Sequence, residues 1–335
     1  MREIKFNLGL PIAGFNRAKA WAERAEALGF YSVSVADHMF TRTNFLNFER
    51  TPAQPQIECY TTLAAVAALT RRVRLVSFIS PMKFRHPPLL AKMLSTIDQI
   101  SGGRVIAGLG AGWQLEELEN YGFGYGTNAE RIERLGEGIK VLKAMWTQEE
   151  PSFAGRHYKI DKAYNFPKPV QQPHPPIMIG GSGRKILEIA GREADIVNLI
   201  AAVYQGSIEP SQQARFDNVQ LKKKIAQLHH IARAAGRDPD SIELSGFPLV
   251  LMSASKSEAD AMAKSAGDAS GIADLDEVRR LPMSLIGTPE EIKRELRYRI
   301  EEFNMTYYML ALGSPEAADL FASEVMPEFA SPRAI

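Results

Sequence analysis

Asp37 and His38 stand side by side directly after the apolar run Tyr31-Ser-Val-Ser-Val-Ala36. An imidazole titrates near neutrality and an adjacent carboxylate can orient or tune it, so the pair suits proton transfer or polar contact. Position alone also allows a loop histidine that caps backbone groups. Ser77-Phe78-Ile79-Ser80-Pro81 ends a third apolar run. The hydroxyls of Ser77 and Ser80 can bond the carbonyls or ring nitrogens of a heterocycle, and Pro81 stiffens the turn. Lys83, Arg85 and His86 follow, either as a cationic patch for an anionic tail or as a solvated basic loop. Gly108, Gly110 and Gly112 permit a planar ligand to approach the backbone closely. Trp113 then offers a stacking surface, or simply packs into the core. Gly180-Gly181-Ser182-Gly183 feeds a helix that starts near Arg184. Such a turn presents unpaired N–H groups and the positive end of a helix dipole, which suits a phosphate.

Residues scattered over this length can meet only if the intervening elements bring them to one end of the fold. The strand-like runs are Ile4–Leu10, Tyr31–Ala36, Val73–Ile79, Val105–Leu109, Pro176–Ile179, Asp195–Ile200, Ile242–Met252 and Thr306–Leu312. Most read as continuous apolar stretches, as expected of parallel strands buried on both faces. Helical periods lie between them. Ile132, Leu135, Ile139, Leu142 and Trp146 form one stripe, and Leu221, Ile225, Leu228, Ala232 and Ala235 another, with Gly236 placed to end it. Thr288-Pro289-Glu290-Glu291 reads as a capped helix start. Eight strand–helix units predict an α/β fold, a (β/α)8 TIM barrel over residues 1–335, with insertions at the carboxyl face of the strands. The long stretches fall near 39–57, 147–175, 204–240 and 266–282, and no repeat or linker marks off a second domain. A doubly wound sheet would need a nucleotide fingerprint, and Gly108-Leu109-Gly110-Ala111-Gly112-Trp113 carries its third glycine one place too early.

Forty basic and 39 acidic residues give a net charge of +1, so nothing predicts binding to nucleic acid or to a membrane surface. The amino terminus lacks a secretory apolar core and no apolar run is long enough to span a bilayer, which predicts a cytoplasmic protein. Cys59 is the sole cysteine, so an intrachain disulfide and a Cys-based zinc site are both excluded. His229 and His230 are adjacent and point about 100° apart on a helix. With no H-E-x-x-H run either, no metal site is expected. A G-x-S-x-G nucleophile elbow is also missing, which argues against a hydrolase.

Taken in order, these segments resemble the bacterial luciferase-like superfamily, and within it the branch that uses the deazaflavin coenzyme F420. The matching pieces are Val35-Ala36-Asp37-His38, Arg85-His86-Pro87-Pro88 through Ser101-Gly102-Gly103-Arg104, Gly108–Trp113, Pro176–Gly183 with Ala194-Asp195, and Gly287-Thr288-Pro289-Glu290-Glu291. The resemblance implies a barrel enzyme, commonly a homodimer, acting on a small molecule. It implies a non-proline cis peptide around Ser77–Phe78. It also implies that Ser77, Phe78 and Ser80 face the coenzyme ring, while Gly180, Gly181, Ser182 and Gly183 hold its phosphate; Gly110, Gly112 and Trp113 stay coenzyme-contact candidates on the reading of the residues given above. His38 is implied as the proton partner, with Asp37 as its orienter or as a coenzyme contact. Some enzymes of this branch carry a carboxylate after the glycine run; Trp113 stands there in this chain, which argues against a sugar-phosphate dehydrogenase.

Three functional readings follow. The first is an F420-dependent hydride-transfer enzyme, mildly favoured by the Lys83 and Arg85 neighbourhood. The second is a monooxygenase of the same superfamily that uses reduced FMN. The third, a non-catalytic barrel that carries or senses a ligand, is opposed by the Asp37-His38 pair.

Overall fold

The computed structural model describes residues 3–43, 50–203 and 214–329. Eight parallel strands close into a barrel: β1 (Lys5–Gly9), β2 (Ser32–Val35), β3 (Arg74–Ser77), β4 (Val105–Gly110), β5 (Ile177–Gly180), β6 (Ile196–Asn198), β7 (Glu243–Gly246) and β8 (Met305–Leu312). Closure is made by β1 against β8, with Lys5 opposite Tyr307 and Leu8 opposite Leu310. Each barrel strand lies within, or one residue beyond, a run identified in the sequence.

The pleat splits these strands between two cores. On β8, Tyr307 and Met309 join Val76, Ile106, Met178 and Ile196 inside the barrel, whereas Tyr308, Leu310 and Leu312 pack outward against the helices. The Ser-Val-Ser-Val run of β2 alternates in the same way. Val33 and Val35 join the outer core, while Ser32 and Ser34 turn to buried polar partners. Asn7 donates to Ser34 (2.8 Å) and accepts from Ser32 (2.8 Å), and the Ser32 hydroxyl lies 2.6 Å from that of Tyr307. The barrel interior is therefore part oil and part hydrogen-bonded layer, because inward polar groups are tolerated only when paired.

Two stretches depart from the sequence reading. The run Ile242–Met252 supplies two strands. β7 ends at Gly246, Pro248 follows with no N–H to donate, and Leu249–Met252 begins a second parallel sheet with Ser284–Gly287. Leu249 and Val250 also pair with Ala311 and Leu312, so this sheet grows from the carboxyl end of β8. Ser284–Gly287 was not foreseen; its four residues are too short a run to stand out beside the helix signal that follows.

The stretch near 147–175 follows the helix Asn128–Thr147 and leads into β5, so it leaves from the amino side of the barrel. It forms a hairpin (Phe153–Ala154 with Lys159–Ile160) and then runs along the helix Pro87–Ser101, where Lys92 donates to Phe166 O and Gln99 to Lys168 O. By contrast, the stretch near 39–57 does follow a strand, β2, and pairs Thr41–Thr43 with Arg50–Gln54. Residues 204–213 of the third expected insertion lie outside the described residues.

The helix boundaries read from caps hold. Thr288 and Glu291 form a reciprocal capping box, and Gly236 takes φ +74° just past Ala235. Among the described residues no helix is long and apolar enough to cross a membrane.

Candidate active site

Asp37 and His38 leave the carboxyl end of β2 together but find different partners. Asp37 is 2% exposed and receives a two-pronged contact from Arg85, Nη1 to Oδ2 at 2.6 Å and Nη2 to Oδ1 at 3.0 Å. The fork matches the planar guanidinium to the carboxylate and is the strongest common form of ion pair. Arg85 also binds Glu58 and lies over the Tyr60 ring, 4.5 Å from its centroid. Burial works against the Arg85 charge, yet Asp37 beside it holds the guanidinium well above its ordinary range. Below this pair, burial raises the pKa of Tyr60, whose hydroxyl sits 2.7 Å from that of Ser80. Asp37 is thus the anchor of a buried network and makes no hydrogen bond to His38 among the described residues.

His38 is oriented instead by Glu117, a residue the sequence reading missed. Its Nδ1 lies 2.9 Å from Glu117 Oε2, and the other carboxylate oxygen accepts the N–H of Met39. Glu117 is 1% exposed and belongs to the helix Leu115–Asn120, which follows β4. The rings of His38 and Trp113 meet edge to face, 5.6 Å between centroids and 80° between planes. The one available signal was a pair of acids in the first turn of a short helix placed just after the glycine run. Glu116 of that pair turns outward to Arg42 at 3.2 Å, and only the fold separates the two.

The serines and glycines of β3, β4 and β5 are engaged with one another. The Ser77 hydroxyl, fully buried, donates to Gly108 O (3.1 Å) and accepts from Gly108 N–H (3.0 Å). A Cβ on Gly108 would sit 1.8 Å from Ser77 O, so no larger residue can stand there. Likewise a Cβ on Gly110 would meet Ile79 Cγ2 at 2.8 Å, and one on Gly180 would meet Ile79 Cδ1 at 2.9 Å. At Gly108 and Gly110 the close approach foreseen for a planar ligand is therefore made by the chain's own Ser77–Ile79 segment, which also crowds Gly180. Phe78 is half-buried and meets Phe247 at 5.0 Å. The non-proline cis peptide joins Phe78 to Ile79, one bond beyond the expected place. Gly112 takes φ +83°, where glycine is favoured, and turns the chain toward Trp113.

The turn after β5 keeps its groups near one helix start. Gly181 (φ +126°) donates to Asn198 O at 3.0 Å, and Ser182 is buried with its hydroxyl 2.6 Å from Ile200 O. Gly183 begins the helix Arg184–Glu193 with no side-chain cap, and a Cβ on it would meet nothing within 4 Å. Among the described residues no side chain caps the first-turn N–H groups of this helix.

The expected cationic patch is not free. Lys83 donates to Gly124 O at 2.6 Å and lies 3.7 Å from Glu130, while Arg85 is committed to Asp37 and Glu58. His86 opens the helix Pro87–Ser101 and meets the ring of Tyr158 at 5.6 Å. Lys83 and Arg85 thus belong to ion pairs with carboxylates from other parts of the chain.

Known proteins share this barrel and parts of this sequence. An FMNH2-dependent dimethylsulfone monooxygenase of Pseudomonas putida is 38% identical over 143 residues, 43% of this chain and 39% of that protein. An F420-dependent glucose-6-phosphate dehydrogenase of Nakamurella multipartita is 34% identical over 175 residues, 52% of this chain and 49% of that one. The alignments thus span half or less of either relative. Among solved structures, the monooxygenase RslO1 from Streptomyces bottropensis superposes with a TM-score of 0.74 at 25% identity, covering 98% of this chain and 100% of its own. The profile described as luciferase-like monooxygenase matches residues 7–284, from the first barrel strand to the sheet that grows from the last. With that match over most of its length, this chain belongs to the luciferase-like monooxygenase family.

Proposed function

We propose that this protein is an oxidoreductase that binds coenzyme F420 at the carboxyl mouth of the barrel and transfers a hydride to or from a small organic substrate. The observation that carries the reading is the His38–Glu117 pair. It sets an imidazole at a strand end, 13% exposed, with one nitrogen tied to a buried carboxylate. Bound there, the coenzyme supplies or takes the hydride of an alcohol–carbonyl interconversion, which leaves the hydroxyl proton to a protein group. His38 Nε2 makes no hydrogen bond among the described residues and is the atom suited to hold that proton. The residues present fit the coenzyme's phosphate. Gly181, Ser182 and Gly183 lead into an uncapped helix start with open space over Gly183. Phe78 and Trp113 are the half-buried rings beside the mouth, while Ser77 and Ser80 act behind them through Gly108 and Tyr60.

A second reading, a monooxygenase dependent on reduced FMN, has a specific support. With Lys83 and Arg85 paired to protein groups, the main ground for an acidic-tailed coenzyme is weaker, and FMN asks only for the phosphate seat. Equilibrium titration with both coenzymes, each oxidised and reduced, separates the two. We expect micromolar or tighter binding of F420 and weaker binding of FMN. Tight FMN binding with no saturable F420 signal would install the oxygenase reading.

We also infer a homodimer. Leu89 and Ile100 on the helix Pro87–Ser101 are 56% and 47% exposed, beside Phe166 and Val170 at 52% and 46%. Exposed apolar side chains grouped on one helix and the segment beside it suit burial against a partner. Light scattering after gel filtration should return twice the chain mass, and Leu89→Arg should shift it toward the monomer. A monomeric parent chain at micromolar concentration would sink the inference.

A further inference from the structure

We infer that Glu117 is a positioning residue that fixes the tautomer of His38, placing the ring hydrogen on Nδ1 and leaving Nε2 as the proton-exchanging atom. This rests on the reading of His38 as the proton partner.

The chemistry is decided by who can donate. An ionised carboxylate accepts hydrogen bonds and cannot donate them. Glu117 Oε1 accepts the Met39 N–H and Oε2 lies 2.9 Å from His38 Nδ1, so a hydrogen on Nδ1 satisfies both oxygens at once. The free neutral imidazole prefers its hydrogen on Nε2, and the reverse arrangement therefore needs a cause inside the protein. The other charged groups nearby are not competitors for this ring. Asp37 is gripped by Arg85 and Glu116 faces Arg42. Trp113 packs against the ring in a T-shaped arrangement and carries no charge.

A purely structural origin for Glu117 explains less. Burying a carboxylate is costly unless its oxygens are bonded, and an apolar residue would seal the helix Leu115–Asn120 against the barrel more cheaply. An acid in the first turn does favour the helix dipole, but Glu116 already supplies one at the surface. What Glu117 alone provides is a buried acceptor that ties the loop after β2 to the helix after β4, with the imidazole held between them. Partners of this kind fix both ring orientation and tautomer.

The test needs neither coenzyme nor substrate. Long-range 15N–1H correlation spectra of the 15N-histidine-labelled chain at alkaline pH report which ring nitrogen carries hydrogen. The chain has six histidines, and His38→Gln identifies the signals of His38 by their loss. In the parent chain we expect a protonated, pyrrole-type Nδ1 and a pyridine-type Nε2 for His38. Glu117→Gln, whose amide can donate to Nδ1, should move the hydrogen to Nε2. Hydrogen on Nε2 in the parent chain overturns the inference, and so does a pattern unchanged in folded Glu117→Gln. If that variant does not fold, the parent spectrum alone decides. Where a substrate is in hand, Glu117→Gln should slow the chemical step by roughly 10²- to 10⁴-fold, with coenzyme affinity changed little. Failure of F420 to bind would overturn the coenzyme assignment and leave the tautomer result standing.

Discussion

Replacing His38 with alanine should slow the chemical step by ~10²–10⁴-fold, the usual range for a group that moves a proton in the transition state. Coenzyme affinity should change far less, because the proposed phosphate seat lies after β5 and the half-buried rings come from other loops. His38→Gln keeps a hydrogen-bonding side chain but cannot take up a proton, so it should be slow as well. A histidine that merely caps the loop makes the opposite forecast: lower stability or weaker binding, with turnover of the bound enzyme nearly intact. Single-turnover rates at saturating coenzyme read the chemical step alone. A near-normal rate in His38→Ala would remove this residue from the mechanism.

The other large effect is on stability. Arg85→Met should destabilise the fold by about 3–5 kcal/mol, the typical cost of removing one partner of a buried ion pair and leaving the other charge behind. The residue left behind is Asp37, 2% exposed, which loses both arms of its fork. Glu58 loses a partner as well, but it is more exposed and keeps its bonds to the Thr61 backbone and hydroxyl. Arg85→Lys should recover only part of the loss, since an ammonium cannot reproduce the two parallel contacts or the stacking over Tyr60. Urea unfolding midpoints of the three proteins measure this directly. A change below about 1 kcal/mol in Arg85→Met would mean that the pair behaves as a surface salt bridge.

Those two forecasts concern neighbours in sequence, Asp37 and His38, that do unrelated work, and the division of labour was not legible in the chain. Adjacency suggested that the acid orients the histidine. In the fold the acid turns to Arg85, 48 positions on, and the histidine turns to Glu117, 79 positions on. Asp37 and His38 lie just past the end of β2, where no regular element sets the direction of either side chain, so adjacency in sequence is poor evidence for contact there. The basic cluster failed for a related reason. Lys83 and Arg85 read as free charge because their acidic partners come from elsewhere in the chain.

What the amino-acid order determined by itself was local. The eight barrel strands, the capping box at Thr288, the glycine at the end of the helix Asn218–Ala234 and the glycine turn feeding the helix Arg184–Glu193 all follow from periods and caps read over a few residues. Their alternation then pointed to a closed barrel, which brings every strand end to one mouth. Tertiary structure alone decided the rest. It turned the glycines of β4 and β5 into room for Ile79, split Ile242–Met252 between two strands, and chose which of two adjacent glutamates would be buried. Each of these is a contact between distant segments. Its existence depends on barrel closure, on the register of neighbouring strands and on which side chain the fold withdraws from water. None of those quantities is carried by a short window of sequence, because they arise only when the whole ring of strands is formed.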